Sequence, residues 1–137
     1  MSLNQFILTV GTELQELLWR DVPQKALAEE IDELERQIQE STAEADRYQA
    51  STHQLRKDLA DKELRAAWLT ERVEVYLHVK DQPNAWRHAL ELDQLQQTIS
   101  AERLKLRRRQ RAYSDQRIHI RRLAERQASL LEELVAL

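Results

Sequence analysis

From Leu27 to Tyr76 the apolar residues advance in alternating steps of four and three: Leu27, Ile31, Leu34, Ile38, Ala45, Tyr48, Leu55, Leu59, Ala66, Leu69, Val73 and Tyr76, with Ser41, Thr52 and Lys62 on the remaining steps. That spacing draws one narrow stripe along a helix and no face of a strand, whose period is two. Sustained over about seven repeats, it is a coiled-coil seam that another helix must cover. A second seam of nearly equal length follows: Ala85, His88, Leu92, Leu95, Ile99, Glu102, Leu106, Arg109, Tyr113, Gln116, Ile120, Leu123, Gln127, Leu130, Leu134 and Leu137.

The breaks between helices have few places to fall, because the 137 residues include one Gly and two Pro. Proline disfavours helix at the residue before it and suits the first turn of a helix that follows. Pro23 and Pro83 therefore predict boundaries at Asp21-Val22 and Asp81-Gln82. The expected fold is all-α: a short amphipathic N-terminal helix within 1–22, then a long antiparallel two-helix coiled-coil hairpin over 23–137. Its arms are 23–80 and 84–137, and its tip is Asp81, Gln82 and Pro83. A short link makes the helices antiparallel neighbours, and folding the chain there pairs positions whose numbers sum to about 164. In that register Lys62 meets Glu102, Arg109 falls by Leu55 with Asp58 a turn away, and Gln116 falls by Tyr48. Polar seam positions of this kind cost stability and fix register.

Residues 3–18 place Leu3, Phe6, Ile7, Val10, Leu14, Leu17 and Leu18 on one face, and Leu3, Phe6, Ile7, Val10 and Leu14 are the candidate membrane-binding residues. The polar side carries no Lys or Arg before Arg20, and Gly11 weakens the helix by about 1 kcal/mol relative to Ala.

Charge is uneven although its total is only −3. Residues 101–126 hold ten Lys or Arg against three Asp or Glu, whereas 23–61 hold five against ten. The arms can neutralise each other along the hairpin flanks. Alternatively, a basic stripe of Arg107, Arg108, Arg109, Arg111, Arg117, Arg121 and Arg122 faces anionic lipid headgroups. Nucleic acid is not expected as a partner, because only Tyr113 lies near as a stacking aromatic and no groove-reading motif is present.

Little in the sequence supports catalysis. With no Cys, disulfides and thiolate chemistry are excluded, and His53, His78, His88 and His119 do not show metal-ligand spacing. The one glycine forms no phosphate loop, and two paired helices offer no concave pocket for tuned carboxylates. No enzyme activity, cofactor, metal or small-molecule substrate is expected. No apolar run reaches the ~18 residues of a membrane span, and "MSLNQFILTV" lacks a basic signal-peptide start, so the expected location is cytoplasmic, including the inner face of the membrane. Trp68 and Trp86 lie off the seams near the tip. They either project as a contact surface or wrap over the seam edge.

The order of amphipathic helix, proline break and long hairpin resembles the phage shock protein A family, which includes the vesicle-inducing proteins of plastids and belongs to the ESCRT-III superfamily. "RDVPQKAL" at 20–27 is similar to that family's acidic-Pro-Gln-Lys-x-Leu lead into the first hairpin helix. Trp68 lies about where those proteins often carry a tryptophan, and "NAWRHAL" at 84–90 is similar to the "DLAREAL"-type start of the returning helix at Arg87, Ala89 and Leu90. The N-terminal helix departs from the family in having no basic residues on its polar face. The resemblance implies a non-enzymatic protein of membrane stress response or remodelling that self-associates at the cytoplasmic membrane face. Its expected partners are further copies of itself, anionic lipid and a helical protein. The alternative is a soluble coiled-coil adaptor or stalk, like the two-helix stalk proteins of flagellar and type III secretion systems.

Overall fold

A computed structural model describes residues 2–137, with side chains described for Ser2 and for 22–137. Two helices, α1 (Leu3–His78) and α2 (Gln82–Ala136), make up the fold, packed together as an all-α helical hairpin. The coiled-coil reading of the seams accounts for the burial. From Leu27 to Leu134 every seam position of both series is buried or half-buried, and nearly every other side chain is exposed. Leu137, the last seam step, is exposed.

The chain divides into two compact units, Met1–Ala43 with Ile118–Leu137, and Glu44–Arg117. In the first, Leu34 and Leu130 are buried, and three polar contacts cross between the helices. Arg126 pairs with Glu30 at 3.3 Å, and Gln127 Nε2 donates to the Ile31 carbonyl at 3.4 Å and to Glu35 Oε2 at 2.9 Å. In the second, Ala45, Leu55, Leu59, Leu69, Ala85 and Ile99 form the core, with Leu69 wholly enclosed.

Helix α1 departs from expectation at Pro23, which lies inside it. No helix boundary separates 1–22 from 23–78. The φ of proline is itself helical. What is lost is the bond that residue 23 would donate to the residue 19 carbonyl, together with some steric ease in the preceding turn, about 3 kcal/mol in all. Strong helix formers on both sides offset a local cost of that size.

The reversal lies two residues earlier than expected, over Val79–Asp81. Lys80 takes the left-handed conformation at φ 61°. The Lys80 N–H donates to the Leu77 carbonyl at 3.1 Å and the Asp81 N–H to the Tyr76 carbonyl at 2.8 Å. These two bonds satisfy the last carbonyls of α1 in the Schellman pattern, with lysine where glycine is usual. Asp81 then caps α2. Its Oδ1 accepts from the Asn84 N–H at 3.3 Å, and its carbonyl accepts from the Ala85 N–H at 3.0 Å. Of the expected tip residues, only Asp81 is in the link. Gln82 and Pro83 open α2, where the missing N–H of Pro83 would have had no helical acceptor.

Candidate functional site

The polar seam positions of the second unit set its geometry. Lys62 Nζ and Glu102 Oε1 form the expected ion pair, with the Glu102 side chain 20% exposed. Glu102 Oε2 is buried without a partner, as are Thr52 Oγ1 and Gln116 Oε1. Arg109, expected by Leu55 with Asp58 a turn away, donates from its guanidinium to the Ser51 hydroxyl. A seam arginine is too long to end at its own layer, and its charged head reaches the flank. The flank pair Arg103–Glu63, at 2.8 Å, holds the same antiparallel register, and Arg65 reaches Glu91 at 2.8 Å along the flank.

The seven arginines of the expected stripe fall in both units and differ in their contacts. Arg109 is bonded to the Ser51 hydroxyl, and Arg117 donates to the Tyr113 hydroxyl at 3.1 Å. Arg107, Arg108 and Arg111 stand exposed in the second unit, on the outward positions between successive seam residues of α2. Arg121 and Arg122 do the same in the first. Among the described residues none of these five makes an ion pair. The expected neutralisation between arms is therefore limited to a few flank pairs.

A furrow of 420 Å³ opens beside Thr52, lined by Gln49, Thr52, His53, Arg56, Gln110, Tyr113 and Ser114. Sequence reasoning missed it. Its one signal was a threonine on a seam step, where a larger apolar side chain would fill the layer.

Near the link the two tryptophans behave differently. Trp68 leans across the seam edge, its ring 6.0 Å from that of His88 and stacked under Arg65 at 4.4 Å and Arg72 at 5.1 Å. Trp86 projects, 68% exposed, and with Val73, Leu77, Gln82, Ala85 and Ala89 it lines an apolar groove of 430 Å³. His88 Nδ1 lies 2.8 Å from the Asn84 carbonyl. Among the described residues no cluster of three or more His, Asp or Glu could hold a metal ion.

The candidate membrane-binding side chains of Leu3, Phe6, Ile7, Val10 and Leu14 lie outside the described residues. No described helix is long and apolar enough to cross a membrane. The fold and these surfaces define a helical hairpin whose accessible features are furrows and flanks. No protein-family model, curated protein or solved structure matches the chain.

Proposed function

We propose that this chain is a non-catalytic hairpin protein that self-associates at the negatively charged, cytoplasmic face of a membrane, in the stress-response or remodelling role its resemblance implies. The observation that supports this reading is the outward face of Arg107, Arg108 and Arg111, exposed and without ion pairs among the described residues. An arginine close to an anionic bilayer contributes about 1 kcal/mol, so three contribute about 3 kcal/mol at low salt. That is too little for stable attachment, and the apolar face of Leu3, Phe6, Ile7, Val10 and Leu14 supplies the second attachment. Co-sedimentation with phosphatidylglycerol-containing vesicles tests it. Binding should weaken in high salt, fall on replacing Arg107, Arg108 and Arg111 with Gln, and be lost on replacing Phe6 and Ile7 with Asp. Equal partitioning onto pure phosphatidylcholine, or none onto either, sinks the membrane role.

The exposed Trp86 groove favours a second reading, a soluble adaptor that binds a partner protein through the hairpin end. It gains if Trp86→Glu abolishes self-association in light scattering or partner binding while vesicle binding persists, and fails if that variant behaves as wild type in both.

A further inference from the structure

We infer that the furrow beside Thr52 is a binding site for a phosphate oxyanion, a role that does not depend on the membrane reading above. Its lining is unusual for a coiled-coil flank. Seven side chains converge there, each able to hydrogen-bond, and none is a carboxylate. Arg56 carries the one permanent charge in the lining and makes no ion pair among the described residues.

The floor of the furrow is built rather than incidental. Thr52 is 7% exposed, and its Oγ1 is buried without a partner, so the threonine shapes the floor while the donors that face the opening come from its neighbours. Tyr113 is set up as a donor. Its oxygen accepts from Arg117 at 3.1 Å, which leaves its own O–H proton free and places a second guanidinium just behind the ring. Hydroxyls of Tyr113 and Ser114, amides of Gln49 and Gln110 and the Arg56 guanidinium together present several donors around one net positive charge. That inventory matches a phosphate with its three or more acceptor oxygens, for which a charged arginine donor gives the strongest contact. The 420 Å³ volume far exceeds the ~30 Å³ share of one water.

The phosphate can come from solution or from a lipid phosphomonoester headgroup, and two experiments on the full chain separate these. Equilibrium dialysis against inorganic phosphate should show one saturable site per chain. Arg56→Gln should weaken it about tenfold or more, the loss expected for one charge-assisted hydrogen bond, and Tyr113→Phe roughly two- to tenfold. Lys57→Gln removes the same charge one residue away on an exposed position and should leave the affinity unchanged. Flotation with phosphatidic acid or phosphatidylcholine vesicles is the second arm. Recruitment by phosphatidic acid alone, lost in Arg56→Gln but not in Lys57→Gln, assigns the headgroup, and uptake of inorganic phosphate without recruitment assigns the soluble ion. No saturable binding in either arm, or equal losses for Arg56→Gln and Lys57→Gln, overturns the proposal.

Discussion

The Lys62–Glu102 pair offers the sharpest test of the seam register, because the two residues are 40 apart in sequence and meet only if the helices pack as described. The pair is intermediate in burial, with side chains 34% and 20% exposed. An exposed ion pair contributes about 0–1 kcal/mol, whereas removing one partner of a buried pair costs about 3–5 kcal/mol. Lys62→Met keeps an unbranched apolar stem and leaves the Glu102 carboxylate in a seam where its Oε2 already lacks a partner. The loss should be about 2 kcal/mol, between the two limits. Glu102→Met should cost less, since the longer lysine stem can carry its ammonium outward to water. The double replacement makes the layer apolar and should return the stability to wild type or above it. The cycle then closes with a coupling of more than about 2 kcal/mol, the sum of the two single losses. Urea unfolding followed by helical circular dichroism measures each corner, at one protomer concentration because self-association would shift every value. Additivity within about 0.5 kcal/mol would mean that the two side chains do not interact, and the register built on them would fail.

Three further outcomes follow from local geometry. Lys80→Gly relieves a left-handed lysine and should raise stability by about 1 kcal/mol in thermal unfolding, and a loss would contradict the Schellman link. Pro83→Ala should leave the hairpin folded, because the cap is made by Asp81. It also removes the barrier to one continuous helix, so light scattering should show more domain-swapped dimer, and an unchanged mass distribution counts against this. The Arg36 guanidinium, hydrogen-bonded to Glu33, with Gln37 adding a second bond, holds the Glu33 carboxyl down at about 2. Since the folded value is depressed, the contribution of this contact is present above the unfolded carboxylate range of about 4 and is lost as pH falls from there toward 2. Carbon-detected NMR titration should find that low midpoint, and Arg36→Gln should raise it. A wild-type midpoint near 4 would refute the contact.

The seams were legible because a four-three repeat has a single helical solution, and Lys62 opposite Glu102 followed from counting alone. The tip was misplaced by two residues for a physical reason. The reversal depends on Lys80 adopting a left-handed backbone, which lysine rarely does, while the proline that draws attention only opens the helix after it. Pro23 misled in the opposite sense, since a missing hydrogen bond is a cost and not a prohibition. Arg109 and the two tryptophans show a further limit. Periodicity assigns a Cα to a face, but long side chains choose their own end points, so Trp68 folds over His88 while Trp86 stays exposed. The furrow at Thr52 left only one trace, the threonine on a seam step, because it results from what two facing layers fail to fill.

Polar seam positions are concentrated in one part of the second unit, and this has a consequence for its dynamics. Residues 48–62 and 102–116 contain Thr52, Lys62, Glu102, Arg109 and Gln116, with three buried atoms left unpartnered. Residues 66–73 and 92–99 present Ala66, Leu69, Val73, Leu92, Leu95 and Ile99 to the seam and lie nearer the capped link. An unpartnered buried group costs about 1–3 kcal/mol, and it recovers water when the helices part. Local separation therefore costs less free energy in the polar stretch than in the apolar one. Native-state hydrogen exchange should be at least about tenfold faster at 48–62 and 102–116 than at 66–73 and 92–99, a difference of about 1.4 kcal/mol. Uniform protection would refute the argument. Phosphate held by Arg56 and Tyr113 would bind only the closed seam, so adding it should slow exchange in the polar stretch and leave the apolar stretch unchanged.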